Sequence, residues 1–403
     1  MKDTSRNAVI VSAARTPIGR FLGGLSSQKA TDLGAAAIRA ALERSGIERA
    51  DIDDVILGNV VAAGLGQAPA RQAALGGGVP DTVGAMAVSR VCGSGLQAVM
   101  LAAQAIRAGD AKVMVAGGME SMSNAPHYLF GMREGIRFGN QPLIDGLIHD
   151  GLWCAFGECH MGGHAEYTAH KAGITRQEAD AFSLRSHQKA VAAQDAGKFR
   201  EEIVPIEVKT RKGVTVVDAD ESPRRDTSVE ALAKLKPAFT ADMPGHITDP
   251  VVTAGNAPGL NDGAAAMVVA SEEYARAHGL TMRARVSAYS SGAVAPQELF
   301  FAPVRAVRKV MEKEGKSMGD YDLIEANEAF AVQALADGKE LDWDWDRVNV
   351  HGGAVALGHP IGASGTRILT TLLYALEDRD AGSGIATLCL GGGDAVALSV
   401  ERI

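Results

Sequence analysis

The sequence predicts an α/β fold made of two related halves, with a longer segment inserted between them. Strand and helix patterns alternate along the chain, and one order of helix, turn, strand and second helix occurs twice. With 403 residues, 46% of them apolar, the chain can form two or three domain-sized units.

The first copy of the repeat follows Asp32. The segment LGAAAIRAALERSGIERADIDDVILGNV predicts an amphipathic helix, a turn near Gly46 and a short apolar strand that ends at Asn59. Ser94 and Gly95 are predicted to open a second helix, which leads to the apolar strand KVMVAGG.

The second copy lies in the C-terminal region. The segment APVRAVRKVMEKEGKSMGDYDLIEANEAF predicts a helix, a glycine turn and a strand that ends at Asn327. Ser364 is predicted to open another helix, followed by the strand IATLCLGGG. Asp54 corresponds to Asp322 in this comparison, and Asn59 corresponds to Asn327. The two halves are therefore expected to pack as a pseudo-dimer.

The segment between the halves breaks this pattern and is predicted to form a loop domain. It is rich in His, Met and charged residues, and EEIVPIEVKTRKG predicts a pair of strands. The predicted divisions are residues 1–121 for the first part of the N-terminal half, 122–245 for the loop domain, 246–275 for the completion of the N-terminal half and 276–403 for the C-terminal half.

Composition and charge restrict the classes of partner. The formal net charge of -8 disfavours binding to nucleic acid or an anionic membrane, and an acidic ligand would need local cations. No apolar run approaches the roughly 18 residues that cross a bilayer. The N-terminal stretch is polar and lacks a signal-peptide pattern. The sequence thus predicts a cytoplasmic protein without nucleic-acid or membrane partners.

The cysteines supply the first candidate for chemistry. Four of them, at positions 92, 154, 159 and 389, are too few for a disulfide framework and are predicted to be reduced thiols. Cys92 lies between the strand-like AVSRV and a helix that begins near Gly95. A helix N-terminus favours a thiolate, which would make Cys92 a nucleophile. A buried, inert cysteine is the alternative.

Two glycine-rich stretches supply the other candidates. NVHGGAVALGHPIGASG carries His351 and His359, and its glycines could aim either imidazole into a cleft. The stretch lacks the spacing of a phosphate-binding loop. In LCLGGGDAV, Cys389 ends a strand before three glycines. Two cysteines and a histidine at strand ends indicate thioester chemistry, with a thiolate nucleophile, an activating base and a second proton carrier.

A metal site is the alternative for the segment HDGLWCAFGECHMGGH. Its possible ligands are His149, Cys154, Cys159, His160 and His164. Two cysteines separated by four residues and followed at once by histidine do not match common zinc spacing. No metal is therefore predicted.

Several motifs together resemble those of one known family. They are SAARTPIGRF, VCGSGLQAV, AGGMESMSNAP, HMG, AGNAPGLNDGAAA, NEAF, GGAVALGHPIGASG and CLGGGDAVAL. Over nearly its whole length the chain resembles a thiolase of the acetyl-CoA acetyltransferase type. The resemblance implies a thiolase-like five-layered α/β/α/β/α fold with an inserted loop domain.

The resemblance also implies an activity. Such enzymes condense two acetyl-CoA to acetoacetyl-CoA plus CoA, or run the reverse thiolysis, by a ping-pong mechanism through an acyl-cysteine. Coenzyme A thioesters are substrates, so no cofactor is implied. The resemblance further implies a homodimer or homotetramer and a place in fatty acid metabolism.

Individual residues acquire roles from the same resemblance. Cys92 resembles the acylated nucleophile, His359 the base that activates it and Cys389 the acid/base at the α-carbon of the second acyl-CoA. Asn327 is similar to a residue that holds a water, which with His359 forms one oxyanion hole. The backbone amides of Cys92 and Gly391 would form the second.

Further positions resemble contacts with coenzyme A. They are His160, Met161, Arg224, Ala254, Gly255 and Leu152. His160 and Met161 match residues near the pantetheine and thioester end, and Arg224 matches a contact with the nucleotide end. The alternatives are a packed loop histidine at position 160 and a solvated charge at position 224.

Some positions depart from the family pattern and bear on substrate preference. Pro258 stands where a serine is usual, residues 240–251 form a longer stretch, and Asp394 replaces an uncharged residue. LFFAP, residues 299–303, places Phe300 and Phe301 near the expected acyl pocket, where they would either fill space or merely pack in the core.

Three interpretations follow. The leading one is an acetoacetyl-CoA thiolase. The second is a degradative 3-oxoacyl-CoA thiolase for longer or unusual acyl chains. The third, from a different class, is a non-catalytic thiolase-like protein that binds CoA or lipid.

Overall fold

The computed structural model describes residues 6–211 and 213–403. In chain order its strands are β1 (Ala8–Arg15), β2 (Gly19–Arg20), β3 (Asp54–Gly58), β4 (Gly84–Val88), β5 (Val113–Ser121), β6 (His127–Tyr128), β7 (Ile144–Asp145), β8 (Trp153–Cys154), β9 (Cys159–His160), β10 (Ile206–Thr210), β11 (Gly213–Val217), β12 (Asn261–Ser271), β13 (Ala284–Ala293), β14 (Leu323–Ala326), β15 (Ser383–Leu390) and β16 (Asp394–Arg402).

The α-helices alternate with these strands. They are α1 (Ala30–Ser45), α2 (Pro69–Gly76), α3 (Ser94–Ala108), α4 (Met161–Ala172), α5 (Arg176–Asp195), α6 (Val229–Ala233), α7 (Glu272–Ala277), α8 (Ala302–Glu314), α9 (Ala331–Leu341), α10 (Ala354–Leu357) and α11 (Ile361–Asp378). Among the described residues, no helix is long and apolar enough to cross a bilayer.

The central sheet consists of two half-sheets joined edge to edge. Its strand order is β14-β15-β16-β13-β1-β12-β5-β3-β4, with β2 added to β12. The halves meet at β1 and β13, where the register pairs are Val9 with Arg285 and Ile10 with Ala284. Helices α1 and α2 cover the first half-sheet, α3 and α11 lie between the halves, and α8 covers the second. The predicted α/β/α/β/α order of five layers is confirmed.

The two inner helices come unusually close because small residues meet where they cross. A Cβ on Gly365 of α11 would lie 2.3 Å from the backbone nitrogen of Leu96 in α3, and one on Gly95 would lie 2.7 Å from Thr366 Oγ1. Only glycine permits such an approach. The crossing places the residues before α3 beside the residues before α11.

The internal repeat is present, with two corrections of detail. Helix α11 begins at Ile361, so Ser364 lies within its first turn and does not open it. Asp322 accepts hydrogen bonds from the backbone N–H groups at the start of β15. In the first half, Asp53 accepts hydrogen bonds from the backbone N–H groups at the start of β5. Asp322 therefore corresponds to Asp53 and not to Asp54.

The inserted segment packs on both halves: its helices contact the second half, and Ile206 and Val208 of its strand pair join the core of the first. The segment contains α4, α5 and the predicted strand pair, observed as β10 and β11. Helices α4 and α5 pack against α9, and α5 also packs against α10. The chain returns to the first half-sheet at β12. The three boundaries between the four predicted segments stay a prediction.

Candidate active site

A cavity of about 490 Å³ lies where α3 and α11 begin and β15 ends. It brings together most of the residues singled out in the sequence. Those that line it are Cys92, Leu152, His160, Met161, Arg224, Ala254, His359, Cys389 and Gly391.

Cys92 sits on a strained turn just before α3. The preceding Val91 has φ 46°, a left-handed conformation that β-branched residues rarely adopt. The Ser94 hydroxyl holds this turn, because it donates to the Val91 carbonyl at 2.6 Å and accepts from the Arg90 N–H at 2.8 Å. The strained residue thus immediately precedes the thiol that faces the cavity.

The resting form of Cys92 is the neutral thiol. Part of its surface is open to the cavity, but the surrounding protein desolvates the sulfur and raises its pKa to about 12. The charge of Glu120 adds to this rise, while the backbone N–H groups of Cys92 and Gly391 oppose it. The expectation that the helix N-terminus favours a thiolate is therefore wrong, since desolvation outweighs it. A base must remove the proton.

His359 is held as a neutral imidazole with a defined tautomer. Its Nδ1 lies 2.6 Å from the Ser364 hydroxyl, which itself donates to the Pro360 carbonyl at 2.9 Å. Because that hydroxyl has one proton, it accepts from Nδ1–H and leaves Nε2 unprotonated, with a lone pair that Asn327 Nδ2 approaches at 3.4 Å. Burial lowers the pKa of His359 to about 3. The imidazole is therefore available as a proton acceptor.

Cys389 occupies the end of β15 and is buried. Burial raises the pKa of its thiol well above the usual value, and the charges of Cys92 and Asp337 add to the rise. The two cavity thiols are thus close enough to influence each other electrostatically. Cys389 rests as a thiol, which can donate a proton to a carbanion and take one back.

Asn327 lies behind the cavity lining rather than on it. Its Nδ2 is 3.4 Å from His359 Nε2, and its backbone N–H donates to the Thr387 carbonyl. Its Oδ1 is buried and makes no hydrogen bond within residues 6–211 and 213–403. Asn327 thus reaches the cavity through His359.

A second cavity of about 230 Å³ adjoins the first and contains Gly255, the remaining residue of the coenzyme A set. Arg224 and Ala254 line both cavities, and Arg20 lines the second. Within the described part of the chain, the Arg224 side chain makes no ion pair or hydrogen bond. The acidic protein therefore presents available positive charge at this opening.

His160 combines a packing role with a place on the cavity wall. Its Nδ1 accepts from the Gly162 N–H at the start of α4, and its ring stacks on Phe239 with centroids 4.6 Å apart. Burial lowers its pKa.

Glu120 is a structural determinant of the site to which the sequence reasoning assigned no role. Its buried carboxylate accepts hydrogen bonds from Asn59 Nδ2 at 3.0 Å, from Val60 and Val61 N–H groups, and from Gly362 N–H at 2.9 Å. Burial raises its pKa to about 7. Through these hydrogen bonds the Glu120 carboxylate connects the residues after β3 to the start of α11. The signal was an acidic residue at the end of an otherwise apolar strand, in AGGMES.

Two other candidates are not part of the cavity. His351 is buried elsewhere, with Nε2 3.7 Å from Asp378 and its ring edge-on to Phe199, so the idea that it is aimed into the cleft is wrong. Among the described residues, no group of three or more His, Cys, Asp or Glu side chains is arranged to hold a metal ion.

The two phenylalanines of LFFAP lie in different environments. Phe300 lines the cavity and packs edge-on against Phe330, with centroids 5.3 Å apart. Phe301 is half-buried beneath Lys171, whose Nζ lies 5.1 Å from its ring centroid. Pro258 also lines the cavity. Phe300 is therefore the ring of this pair that faces the cavity.

Comparison with known proteins agrees with this geometry. The family model described as the thiolase N-terminal domain matches residues 8–273, and that of the thiolase C-terminal domain matches residues 280–402. The crystal structure of the Bacillus anthracis acetyl-CoA acetyltransferase superposes with a TM-score of 0.96 at 43% identity, covering 100% of both chains.

Curated relatives are similar over almost the entire chain. The acetyl-CoA acetyltransferase of Pseudomonas aeruginosa is 54% identical over 398 residues, which are 98% of this chain and 100% of that protein. A probable acetyl-CoA acetyltransferase of Escherichia coli K12 is 52% identical over 397 residues, covering 98% and 99% of the two chains. The protein belongs to the thiolase family.

Proposed function

We propose that this protein is an acetyl-CoA C-acetyltransferase that interconverts acetoacetyl-CoA plus CoA with two acetyl-CoA. One observation carries the proposal: the thiols of Cys92 and Cys389 and the imidazole of His359 line a single cavity. The names of relatives 51% to 54% identical over nearly the whole chain support the same activity. The substrates are acetyl-CoA, acetoacetyl-CoA and CoA.

In thiolysis the first half-reaction cleaves acetoacetyl-CoA. His359 Nε2 takes the proton of the Cys92 thiol, and the sulfur attacks the 3-keto carbon. The C2–C3 bond then breaks, which leaves an acetyl group on Cys92 and the enolate of acetyl-CoA. Cys389 protonates that enolate at its α-carbon, and acetyl-CoA leaves.

In the second half-reaction free CoA accepts the acetyl group. First the proton that His359 took from Cys92 replaces the one that Cys389 gave to the enolate. The CoA thiol then loses its proton to His359 and attacks the acetyl-cysteine, acetyl-CoA leaves, and His359 returns the proton to the Cys92 sulfur. In both half-reactions negative charge develops on carbonyl oxygens. The backbone N–H groups of Cys92 and Gly391 both act on the Cys92 sulfur, which supports the proposal that they stabilise one such oxygen. His359, with Asn327 behind it, would serve the other.

The test is thiolysis of acetoacetyl-CoA by the purified protein. We expect the enol absorbance of the substrate to disappear only when CoA is supplied, with two acetyl-CoA formed for each acetoacetyl-CoA consumed. Binding of CoA without turnover would instead identify the non-catalytic CoA- or lipid-binding alternative.

The pH dependence of acylation follows from the lowered pKa of His359. The base form of this histidine persists above a pKa of about 3. Acylation of Cys92 by acetoacetyl-CoA, measured by rapid quench, should therefore not fall from about pH 8 down to about pH 5. Glu120, with a pKa of about 7, becomes protonated over this range, which removes a charge that raises the Cys92 pKa and so does not slow the reaction. Circular dichroism over the same range controls for unfolding. A one-proton fall in rate with a midpoint near 6.5, the pKa of an ordinary histidine, would contradict this assignment.

Acyl-chain preference should depend on Phe300. Because this buried ring faces the cavity, an acyl chain longer than acetyl must displace it, and overpacking costs roughly 1–3 kcal/mol. We expect kcat/KM for acetoacetyl-CoA to exceed that for 3-oxooctanoyl-CoA by at least ~10-fold.

Phe300→Ala should narrow this ratio. Phe301→Ala is the matched control, because that ring lies outside the cavity beneath Lys171, and it should leave the ratio unchanged. Equal efficiency of the wild type on both substrates would favour the alternative of a degradative 3-oxoacyl-CoA thiolase.

The proposal extends to an oligomer, either a homodimer or a homotetramer. Strand β4 forms one edge of the sheet, and its Met86 side chain is exposed. The inserted segment also exposes apolar side chains, namely Leu129, Phe130, Met132, Phe138 and Leu143. A cytoplasmic location and a role in fatty acid metabolism are parts of the proposal that rest on the sequence alone.

A further inference from the structure

A short hairpin at the rim of the catalytic cavity carries two cysteines that the proposed reaction does not use. Strands β8 and β9 pair in antiparallel fashion, with Cys154 opposite Cys159 and Trp153 opposite His160. The hairpin loop between them, residues 155–158, has four residues. All of these residues lie in the inserted segment.

The backbone separation at this pair suits a disulfide. Residues directly opposite in an antiparallel ladder have Cα atoms about 4.5–5.5 Å apart. Disulfides bridge Cα atoms about 4.4–6.8 Å apart. Side chains of opposed residues also leave the ladder on the same face. The register therefore presents Cys154 and Cys159 to each other.

Contacts of the two sulfurs agree with this placement. The Gly157 N–H donates to Cys154 Sγ at 3.3 Å, and a Cβ on Gly157 would lie 3.4 Å from Cys159 Sγ. Both thiols thus border the same loop glycine. Cys154 contributes to raising the pKa of Cys159, after the larger effect of burial.

The two thiols differ in access. Cys154 is buried, whereas Cys159 is partly exposed and lines a separate cavity of about 470 Å³ with Phe156 and Pro296. Cys159 Sγ also lies 3.6 Å from His164 Nε2, which can accept the thiol proton. Cys159 is therefore the thiol that an external reagent meets first.

We propose that Cys154 and Cys159 are a modification site that forms an intramolecular disulfide with a low-molecular-weight disulfide as oxidant. Cys159 loses its proton to His164 and attacks one sulfur of the oxidant, which releases one thiol and leaves a mixed disulfide. Cys154 then attacks the Cys159 sulfur and releases the second thiol. Two protein thiols are oxidised and one small disulfide is reduced to two thiols, with two protons transferred.

The modification would act on the substrate cavity without touching the catalytic thiols. The hairpin is flanked by Leu152 on one side and carries His160 on the other, and both line the catalytic cavity. A bridge across its base ties these two wall residues together. The inference depends on the hairpin alone and stands whatever the substrate.

Peptide mapping after treatment of the folded protein with oxidised glutathione tests the site. Both cysteines fall in one tryptic peptide, residues 138–171, because no Lys or Arg occurs between Arg137 and Lys171. After alkylation and digestion, we expect this peptide to lose both alkylation sites and to be lighter by two hydrogens. Dithiothreitol should restore both alkylation sites.

Cys154→Ser is the matched variant, because it keeps Cys159 and removes the resolving thiol. In it we expect glutathione to remain attached at Cys159 as a stable mixed disulfide. Two results in the wild type would overturn the proposal: full alkylation of both cysteines after oxidation, or a glutathione adduct on Cys159 that persists. The wild-type measurement decides even if the variant fails to fold.

Discussion

Serine in place of Cys92 should abolish acyl transfer, with turnover reduced at least ~10³-fold. A hydroxyl is far less acidic than a thiol, and this site already raises the thiol pKa to about 12. His359, which removes the thiol proton in the proposed reaction, would remove the less acidic hydroxyl proton far more slowly. The variant should also fail to become labelled.

The measurement is brief mixing with acetoacetyl-CoA, acid quench and mass analysis of peptides. We expect one acetyl group on the wild-type peptide that contains Cys92 and none on the same peptide of the variant. Cys159→Ser is the control for a thiol-to-hydroxyl change outside the catalytic cavity, and it should keep wild-type labelling at Cys92. Acetylation at Cys389 in the wild type would reverse the assigned roles.

Replacing Cys389 by alanine should separate the two half-reactions. Cys92 and His359 remain in place, so the variant should still accept an acetyl group from acetyl-CoA, a transfer that forms no enolate. The proton carrier at the α-carbon is lost, so exchange of the α-protons of acetyl-CoA with solvent deuterium should fall by roughly 10²–10⁴-fold. Exchange is read by mass spectrometry of recovered acetyl-CoA.

His359→Ala provides the comparison. Its base for Cys92 is missing, so acylation itself should slow by a similar ~10²–10⁴-fold factor. Undiminished α-proton exchange in the Cys389→Ala variant would contradict the division of labour between the second thiol and the imidazole. Equal acylation rates in the wild type and the His359 variant would show that another group activates Cys92.

Much of the fold follows from local patterns in the sequence. The helix of the first copy ends at Gly46, which has φ 69°, and its strand ends one residue before Asn59. The equivalent strand of the second copy ends one residue before Asn327. Apolar periodicity and glycine stops are properties of a few consecutive residues, so they can be read without knowing what packs against them.

The candidate site was predictable as a set of residues but not as a set of chemical states. Motif resemblance identified Cys92, His359 and Cys389, and the cavity brings them together. The expected thiolate at Cys92 was wrong because a pKa depends on all surrounding atoms, including the charge of Glu120, which is distant in sequence. Burial is not encoded in the nearest neighbours of a residue.

The dependence on distant parts of the chain also explains why two pairs of similar residues ended in different environments. His351 and His359 share a glycine-rich stretch, and Phe300 and Phe301 are adjacent, yet one member of each pair lines the cavity and the other does not. Glycines allow the backbone to turn sharply, but they do not determine which neighbouring side chain then points into the cavity. That choice depends on the elements packed against the stretch.

The sequence by itself determined the two-half α/β architecture and the inserted strand pair, and it predicted the set of candidate reactive residues, because periodicity and motif order are carried by the chain directly. Tertiary structure alone decided the protonation of Cys92 and the cavity that brings Cys92, His359 and Cys389 together. These properties arise where separate segments meet, as at the crossing of Gly95 with Gly365, and they depend on distances in space.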